Sequence, residues 1–285
     1  MRQEAYFCTV KELDELGKNN IPRQLISHTH LIYSSPATLA FNSPGAEGFG
    51  VKRAGLAVPD SVMLIVSPGC CGRNTSVLSS MRAYQDRFYY LLMDETDIVT
   101  GRHLKKIPKA VAEICEGLKK KPSVVMICIT CVDALLGTDM ERVCHKAEEY
   151  AGVPVRPCYM YALTREGRKP PMVHVRQSVY SLLEPKKKKG NVVNLLGYFS
   201  PLTDDCELYD LLHGAGVKTI HEISRCKDYA QYQTMSEANF NLVLHPEARF
   251  AAEDFHDRLK IPYIELRRFC LLYTSPSPRD LSTSR

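Results

Sequence analysis

The sequence predicts an α/β fold in which two tandem units each have a parallel sheet covered by helices. Short apolar runs alternate with helical stretches of ten or more residues, which is the pattern of a parallel sheet. The same order of elements starts again after a polar, lysine-rich segment at residues 184–190. Apolar residues make up 45% of the chain, so a sizeable core can form in each unit.

The first predicted domain covers residues 61–185 and follows an irregular segment at 1–60. The irregular segment is predicted to hold a short helix at 11–17 and a long glycine-punctuated loop at 42–58. Strands are predicted at 62–66, 88–93, 124–127 and 153–158. Helices are predicted at 76–85, 104–118 and 140–150, the last closed by Gly152, with a turn at 94–101.

The second predicted domain covers residues 190–268. Its strands are predicted at 192–196, 217–220, 241–244 and 261–265, and its helices at 206–213 and 248–259. Asp204 or Asp205 is the expected N-cap of the first of these helices. The basic run at 186–189 is predicted to be a solvated linker. The alternation predicts tandem Rossmann-like domains.

Charge and hydropathy exclude several classes of protein. The net charge of +5 comes without a basic stripe interleaved with aromatic residues, so nucleic-acid binding is not indicated. No apolar stretch approaches the roughly 18 residues of a membrane helix, and no signal-peptide pattern follows Met1, so we expect a cytoplasmic protein. Eleven cysteines in such a protein indicate metal ligation, catalysis or plain burial rather than disulfides.

Two cysteine pairs each follow a predicted buried strand. Cys70 and Cys71 come after the run at 62–66, and Cys128-x-x-Cys131 comes at the end of the run at 124–127. Loops at the carboxyl ends of parallel strands are where α/β proteins place their chemistry, and thiolates are the ligands that iron–sulfur clusters require. We therefore predict half of an iron–sulfur site at this edge. A thiol–disulfide pair at 128 and 131 and simple burial of Cys70 or Cys128 remain alternatives.

With these elements placed, the chain resembles the nitrogenase component 1 superfamily, which includes nitrogenase iron–molybdenum protein subunits and dark-operative protochlorophyllide reductase subunits. The matching segments are 67–72, 94–101, 130–131 with 135–139, 241–243 and 261–263. The resemblance covers about residues 40–268. It implies three similar domains per subunit, of which this chain would carry the first two.

The resemblance implies that Cys71 and Cys131 bind a 4Fe-4S cluster at a subunit interface. Cys70 and Cys128 are close enough in sequence to substitute for them, and Gly72 would let the backbone approach the cluster. Nitrogenase subunits carry a further ligating cysteine upstream, where this chain reads 42–45 without one. Two thiolates per chain fit a four-iron cluster shared by two subunits better than an eight-iron cluster.

His245 is the candidate residue of a substrate cleft between the domains. It falls near the position of the cysteine that holds the iron–molybdenum cofactor in the nitrogenase α subunit, so dinitrogen reduction is not expected. An ordinary histidine at a strand end is the alternative interpretation. No residue is assigned a catalytic role from the sequence.

The resemblance implies an oxidoreductase subunit that receives electrons from an ATP-dependent iron–sulfur reductase resembling the nitrogenase iron protein. Neither a Gly-Lys-Ser/Thr phosphate loop nor a GxGxxG loop occurs in the sequence, so ATP hydrolysis would belong to that partner. A second partner would be an identical chain or a paralogous subunit. The alternatives are a non-catalytic scaffold for metal-cluster assembly and a metal-free protein that binds a small molecule.

Smaller expectations concern single residues and the tail. Asp133 is predicted to aid a proton-coupled step or to be a solvated cap. Cysteines predicted to lie in the core on helices are Cys115, Cys144 and Cys206. Residues 270–285 resemble a translated sequencing adapter and are excluded as non-native, with a disordered tail as the alternative.

Overall fold

The computed structural model describes residues 9–17, 20, 50–69, 84–130, 132–133, 136–160 and 169–266. Its strands are β1 (Val62–Ser67), β2 (Phe88–Leu92), β3 (Val125–Ile129), β4 (Val155–Tyr159), β5 (Val192–Leu196), β6 (Thr219–His221), β7 (Phe240–Val243) and β8 (Tyr263–Glu265). Its α-helices are α1 (Val10–Leu16), α2 (Gly50–Gly55), α3 (Glu95–Thr100), α4 (His103–Gly117), α5 (Met140–Ala151), α6 (Pro171–Tyr180), α7 (Glu207–Gly214), α8 (Tyr229–Gln233) and α9 (Arg249–Leu259). Short 3₁₀ turns lie at Ile223–Arg225, Thr234–Glu237 and Pro246–Ala248.

The strands form two four-stranded parallel sheets with the orders β2-β1-β3-β4 and β6-β5-β7-β8. In each sheet the earliest strand lies between the next two, so the two halves repeat one topology. Val66 of β1 pairs with Leu91 of β2 and Ile129 of β3. The predicted α/β fold with helix-covered parallel sheets is confirmed.

One hydrophobic cluster continues from the first sheet into the second. It includes Met63 and Cys158 beside the first sheet and Leu196 and Phe255 in the second half. Helix α6 lies between the halves and packs on α2 and β4 on one side and on α9 on the other. The separation into domains at residues 185–190 stays a prediction, because the two sheets share this core.

Two stretches predicted as loop or turn are helical. Helix α2 falls within the predicted loop at 42–58, and its Gly55 packs against Met63 and Cys158. Helix α3 replaces the predicted turn at 94–101, because Asp94 and Asp97 form a capping box and Gly101 ends the helix with φ of 65°.

Helix α6 is missing from the sequence prediction. Its first residue is Pro171, which is well placed at the start of a helix but reads as a linker residue in a stretch rich in proline and lysine. The predicted acidic N-cap of α7 is also wrong: Cys206 occupies that position without a side-chain cap. Asp204 instead bonds Arg225 at 2.7 Å.

Other predictions have mixed outcomes. Cys115 and Cys144 are buried as predicted, whereas Cys206 is half-buried. The basic run at 186–189 is predicted to be a solvated linker, but one of its lysines contacts the second half of the chain. Lys188 Nζ donates to the Ser236 carbonyl at 2.6 Å. Most of the predicted helix at 76–85 and the tail at 270–285 lie outside the described residues. No helix in the described ranges is long and apolar enough to cross a membrane.

Candidate metal centre and inter-sheet cleft

The predicted cluster ligands follow two neighbouring strands. Cys70, Cys71, Gly72 and Cys131 lie outside the described residues, so their roles stay predictions. The strands that lead to them, β1 and β3, are hydrogen-bonded neighbours and run parallel. Both cysteine segments therefore leave the same carboxyl edge of the first sheet, as the cluster hypothesis requires.

Three buried side-chain oxygens at this edge have no hydrogen-bond partner in the described part of the chain. Within the described residues, Ser67 Oγ, Thr130 Oγ1 and Asp133 Oδ2 are buried and make no hydrogen bond. Ser67 and Thr130 each lie one residue past the last registered pair of β1 and β3, Val66 and Ile129. An unpaired buried polar group costs roughly 1–3 kcal/mol. Hydroxyl groups can donate to cluster sulfurs, so the donors at this edge fit an iron–sulfur cluster.

The structure also brings together a histidine and an aspartate that the sequence prediction did not pair. His103 Nε2 lies 2.9 Å from Asp133 Oδ1, and His103 Nδ1 lies 3.0 Å from the Asp97 carbonyl oxygen. The exposed fractions of the His103 and Asp133 side chains are 1% and 0%. The predicted solvated cap at Asp133 is therefore wrong. No local sequence pattern predicts this pair, because His103 and Asp133 lie 30 residues apart in the chain.

Asp97, whose carbonyl oxygen contacts His103, is itself held in place by two cations. Lys106 Nζ and Arg102 Nε donate to its carboxylate at 2.7 and 2.8 Å, and these bonds lower the pKa of Asp97 to about 2. The same carboxylate completes the capping box with Asp94. The start of α4 is thus fixed where His103 enters the core.

Cys128 lies in the core beneath the candidate cluster edge. It is fully buried and stands opposite Cys158 on the adjacent strand. A hydrogen bond with Cys128, together with burial, raises the pKa of the Cys158 thiol, whose Sγ donates to the Val51 carbonyl at 3.4 Å. This position favours plain burial of Cys128 over a redox pair with Cys131. Its role as a substitute ligand is untested.

His245 lies two residues after the end of β7, immediately before the 3₁₀ turn at Pro246–Ala248. Its Nδ1 accepts from the Glu247 main-chain N–H at 3.3 Å, and its ring meets Tyr198 edge-to-face at 5.6 Å. Burial, and then the charge of Arg176, lower the pKa of His245 to about 4. The imidazole is therefore neutral at neutral pH, and because Nδ1 accepts a hydrogen bond, Nε2 carries the hydrogen and can donate it to a ligand.

Gly197 makes this arrangement possible. It follows β5 with φ of 131°, in a region that disfavours L side chains. A Cβ on Gly197 would lie 2.7 Å from His245 Cβ and 2.8 Å from its main-chain nitrogen. The backbone after β5 can approach His245 only because residue 197 has no side chain.

His245 and Tyr198 line a cleft of about 700 Å³ between the amino edge of the first sheet and the carboxyl edge of the second. Charged residues around it are Arg53, Arg87, Arg176 and Lys227 against Asp60 and Glu247. The excess of cations favours an anionic ligand. Ser224 adds a buried hydroxyl that, in the described part of the chain, has no hydrogen-bond partner.

The two candidate regions lie at opposite ends of the first sheet. The cleft borders Asp60, just before β1, whereas the cluster edge begins at Ser67, the last residue of β1. A strand of this length spans about 20 Å. The candidate cluster edge and the cleft are therefore separate sites.

A larger cavity, of about 920 Å³, runs along the edge strand β4 between α5 and α6. His174 borders it and packs edge-to-face on Tyr159 at 4.3 Å. Burial, and then Lys169, lower the pKa of His174 to about 4. Among the described residues, no group of three or more His, Cys, Asp or Glu side chains could hold a metal ion.

Comparison with known proteins gives consistent matches. The family model described as nitrogenase component 1 type oxidoreductase matches residues 47–274. The match therefore extends a few residues into the tail that the sequence analysis excluded as non-native.

The curated relatives are cofactor biosynthesis proteins. The nitrogenase iron-molybdenum cofactor biosynthesis protein NifE of Rhodobacter capsulatus is 27% identical over 266 residues, which is 84% of this chain and 55% of the relative. The protein of the same name from Klebsiella pneumoniae is 26% identical over 261 residues, 84% of this chain and 57% of the relative. The chain thus spans about half the length of these relatives.

The solved structures show the fold. Nitrogenase Cp1 at pH 6.5 superposes with a TM-score of 0.58 at 18% identity, over 76% of this chain and 52% of that chain. At this identity the likeness concerns the arrangement of helices and strands and carries no information on ligands.

Proposed function

Because the chain belongs to the nitrogenase component 1 type oxidoreductase family, we propose that it handles iron–sulfur clusters. Cys71 and Cys131 would hold a 4Fe-4S cluster at the carboxyl edge of the first sheet, shared with a second subunit. The support is the adjacency of β1 and β3 and the unpaired buried hydroxyls of Ser67 and Thr130. A bound cluster would supply one-electron chemistry at this edge.

The proposed role is a scaffold for metal-cluster assembly rather than a subunit that reduces a substrate. The observation that carries this choice is the similarity to cofactor biosynthesis proteins over 84% of the chain. The cleft supports it, because its excess of cations suits an anionic metal cluster as cargo. Neutral His245 would donate its Nε2–H to an anionic group of such a cargo.

Residues around His245 would position the cargo. Arg176 lines the cleft and is held in a fixed place by Glu247 and by the Gly197 carbonyl. Arg53 and Lys227 line the outer part of the cleft. We expect these two exposed charges to attract the anion.

The first experiment measures iron and acid-labile sulfide in the chain purified without oxygen, beside its Cys71→Ala and Cys131→Ala variants. About two irons per chain, lost in both variants, would support a four-iron cluster shared by two subunits. A folded protein without iron in any form would refute the cluster hypothesis.

A second experiment separates scaffold from reductase. The loaded chain is mixed with an iron-free ferredoxin, and the transfer of iron is followed by absorbance and electron paramagnetic resonance. A scaffold releases its iron to the acceptor within the assay. A cluster that stays on the chain and is reduced reversibly by dithionite would favour the substrate-reducing subunit instead.

A further inference from the structure

We propose that the buried His103–Asp133 pair positions the segment that carries Cys131 and thereby determines how firmly the chain holds its cluster. The inference rests on the proposed function, since it concerns the same edge of the first sheet. His103 is a positioning residue here, because it acts on the ligand segment through Asp133.

The pair joins the two loops that flank the central strand of the edge. Strand β2 leads into α3, which presents the Asp97 carbonyl, and β3 leads to Asp133. Strand β1, which leads to Cys71, lies between β2 and β3. One ring nitrogen of His103 contacts Asp97 in α3, and the other contacts Asp133 after β3. His103 therefore connects the segments that follow the two strands on either side of β1.

The two ring nitrogens of His103 contact different groups. Nδ1 faces the Asp97 main-chain carbonyl, an oxygen that only accepts, so this nitrogen carries a hydrogen. Nε2 faces Asp133 Oδ1 at 2.9 Å. The first contact fixes the plane of the ring, and the second fixes Asp133.

Asp133 in turn fixes the chain on its carboxyl side. Thr138 donates to the Asp133 main-chain oxygen at 3.1 Å and, through its hydroxyl, to Oδ1 at 3.2 Å. The Leu136 amide donates to the Val132 carbonyl at 3.0 Å. The turn after the candidate ligand is thus closed around one buried carboxylate.

The described residues on either side of Cys131 in the sequence are buried. Thr130 is 2% exposed, and the Asp133 side chain is fully buried. Two residues of extended chain span at most about 7 Å, so we expect the positions of Thr130 and Asp133 to limit the reach of the residues between them. Without His103, the buried Asp133 carboxylate loses a hydrogen-bonding neighbour, and we expect its move toward water to release the segment.

The test uses three substitutions that separate the two contacts. His103→Gln keeps an amide donor near the Nε2 position, His103→Asn keeps one near the Nδ1 position, and His103→Leu keeps neither. The readout is the rate at which an iron chelator removes iron from the loaded protein. We expect release at least tenfold faster in the Asn and Leu variants and near-normal release in the Gln variant.

A matched control is Asn194→Ala, which removes two buried hydrogen bonds in the second sheet, to Asn241 and to the Met235 carbonyl. It should destabilise the fold without changing iron release. If all three His103 variants unfold more easily yet release iron at the wild-type rate, the pair is only structural and the inference is overturned.

An iron-independent measurement keeps the test decisive if the chain binds no cluster. Alkylation of Cys131 by iodoacetamide in the iron-free protein is followed by mass spectrometry. Faster alkylation in the Asn and Leu variants, but not in the Gln variant, supports the positioning role even when the cluster hypothesis fails. Unchanged alkylation in all variants contradicts it.

Discussion

Arg176 of α6 and Glu247 of the second half form a buried ion pair beside the cleft, with Nη1 and Oε2 2.9 Å apart and side chains that are 5% and 8% exposed. Arg176 also donates to the Gly197 carbonyl at 3.0 and 2.6 Å. This one guanidinium connects the helix between the sheets to the loop after β5 and to the turn after β7.

The first prediction is that Glu247→Ala destabilises the protein by about 3–5 kcal/mol, because it leaves a buried guanidinium without its counterion. The control is Lys120→Ala, which breaks the ion pair with Asp60 whose lysine side chain is 77% exposed. That variant should change the free energy of unfolding by less than about 1 kcal/mol. Urea denaturation measures both, and similar effects would contradict the prediction.

The second prediction concerns Gly197. Gly197→Ala should cost at least about 2 kcal/mol, because its φ of 131° strains an L residue and the new Cβ would meet His245 at 2.7 Å. Gly214→Ala is the control, since a Cβ there would meet nothing within 4 Å at the end of a helix. That change should stabilise by about 0.5 kcal/mol. Thermal denaturation of both variants checks the difference, and a neutral Gly197→Ala would contradict the close approach.

The sheets could be predicted from the sequence because buried parallel strands are continuous apolar runs between glycine and proline punctuation. The predicted and observed bounds of the strand at 192–196 agree, although Asn194 interrupts its apolar run. Helix α6 could not be predicted from the sequence. It begins at a proline close to a lysine, and its apolar residues pack on elements of both halves of the molecule. Tertiary packing, rather than local pattern, defines that helix.

The candidate site was predictable only in part, for a related reason. A cysteine that follows an apolar run can be recognised in the sequence, so the sheet edge that carries Cys71 and Cys131 could be proposed. The pairing of His103 with Asp133 depends on how β2 and β3 flank β1, which no local spacing reveals. Likewise, the burial of Cys128 follows from its pairing with Cys158 across strands.

The third prediction concerns pH. The pKa of His174 is about 4 in the folded protein, below its ordinary value of 6.5, because the ring is buried beside Lys169. Between these values the unfolded chain binds the proton and the folded chain does not, so stability is full above about pH 6.5 and falls as the pH drops toward 4. The loss should reach roughly 2 kcal/mol at pH 5.

His174→Gln tests this, because glutamine does not titrate. The difference in unfolding free energy between wild type and variant should shrink on going from pH 7 to pH 5 by roughly that amount. Urea denaturation at both pH values provides the measurement. Parallel pH dependences of the two proteins would show that His174 titrates normally in the fold.

The fourth prediction distinguishes cluster ligands from core cysteines. Cys128 is fully buried opposite Cys158, in the hydrophobic cluster that the two halves share. Cys128→Ala should therefore cost about 1 kcal/mol through the lost packing and leave the iron content unchanged. Cys71→Ala and Cys131→Ala should instead abolish iron binding.

The matched variant is Cys158→Ala, which removes the other thiol of the Cys128–Cys158 contact. It should resemble Cys128→Ala in its loss of stability and in its unchanged iron content. Iron per chain and urea denaturation, measured on all four variants, give a clear pattern. If Cys128→Ala loses iron while Cys158→Ala keeps it, Cys128 is a ligand after all. The end of β3 would then have to rearrange when the cluster binds, because in this fold the Cys128 side chain is closed off from the edge by the core around it.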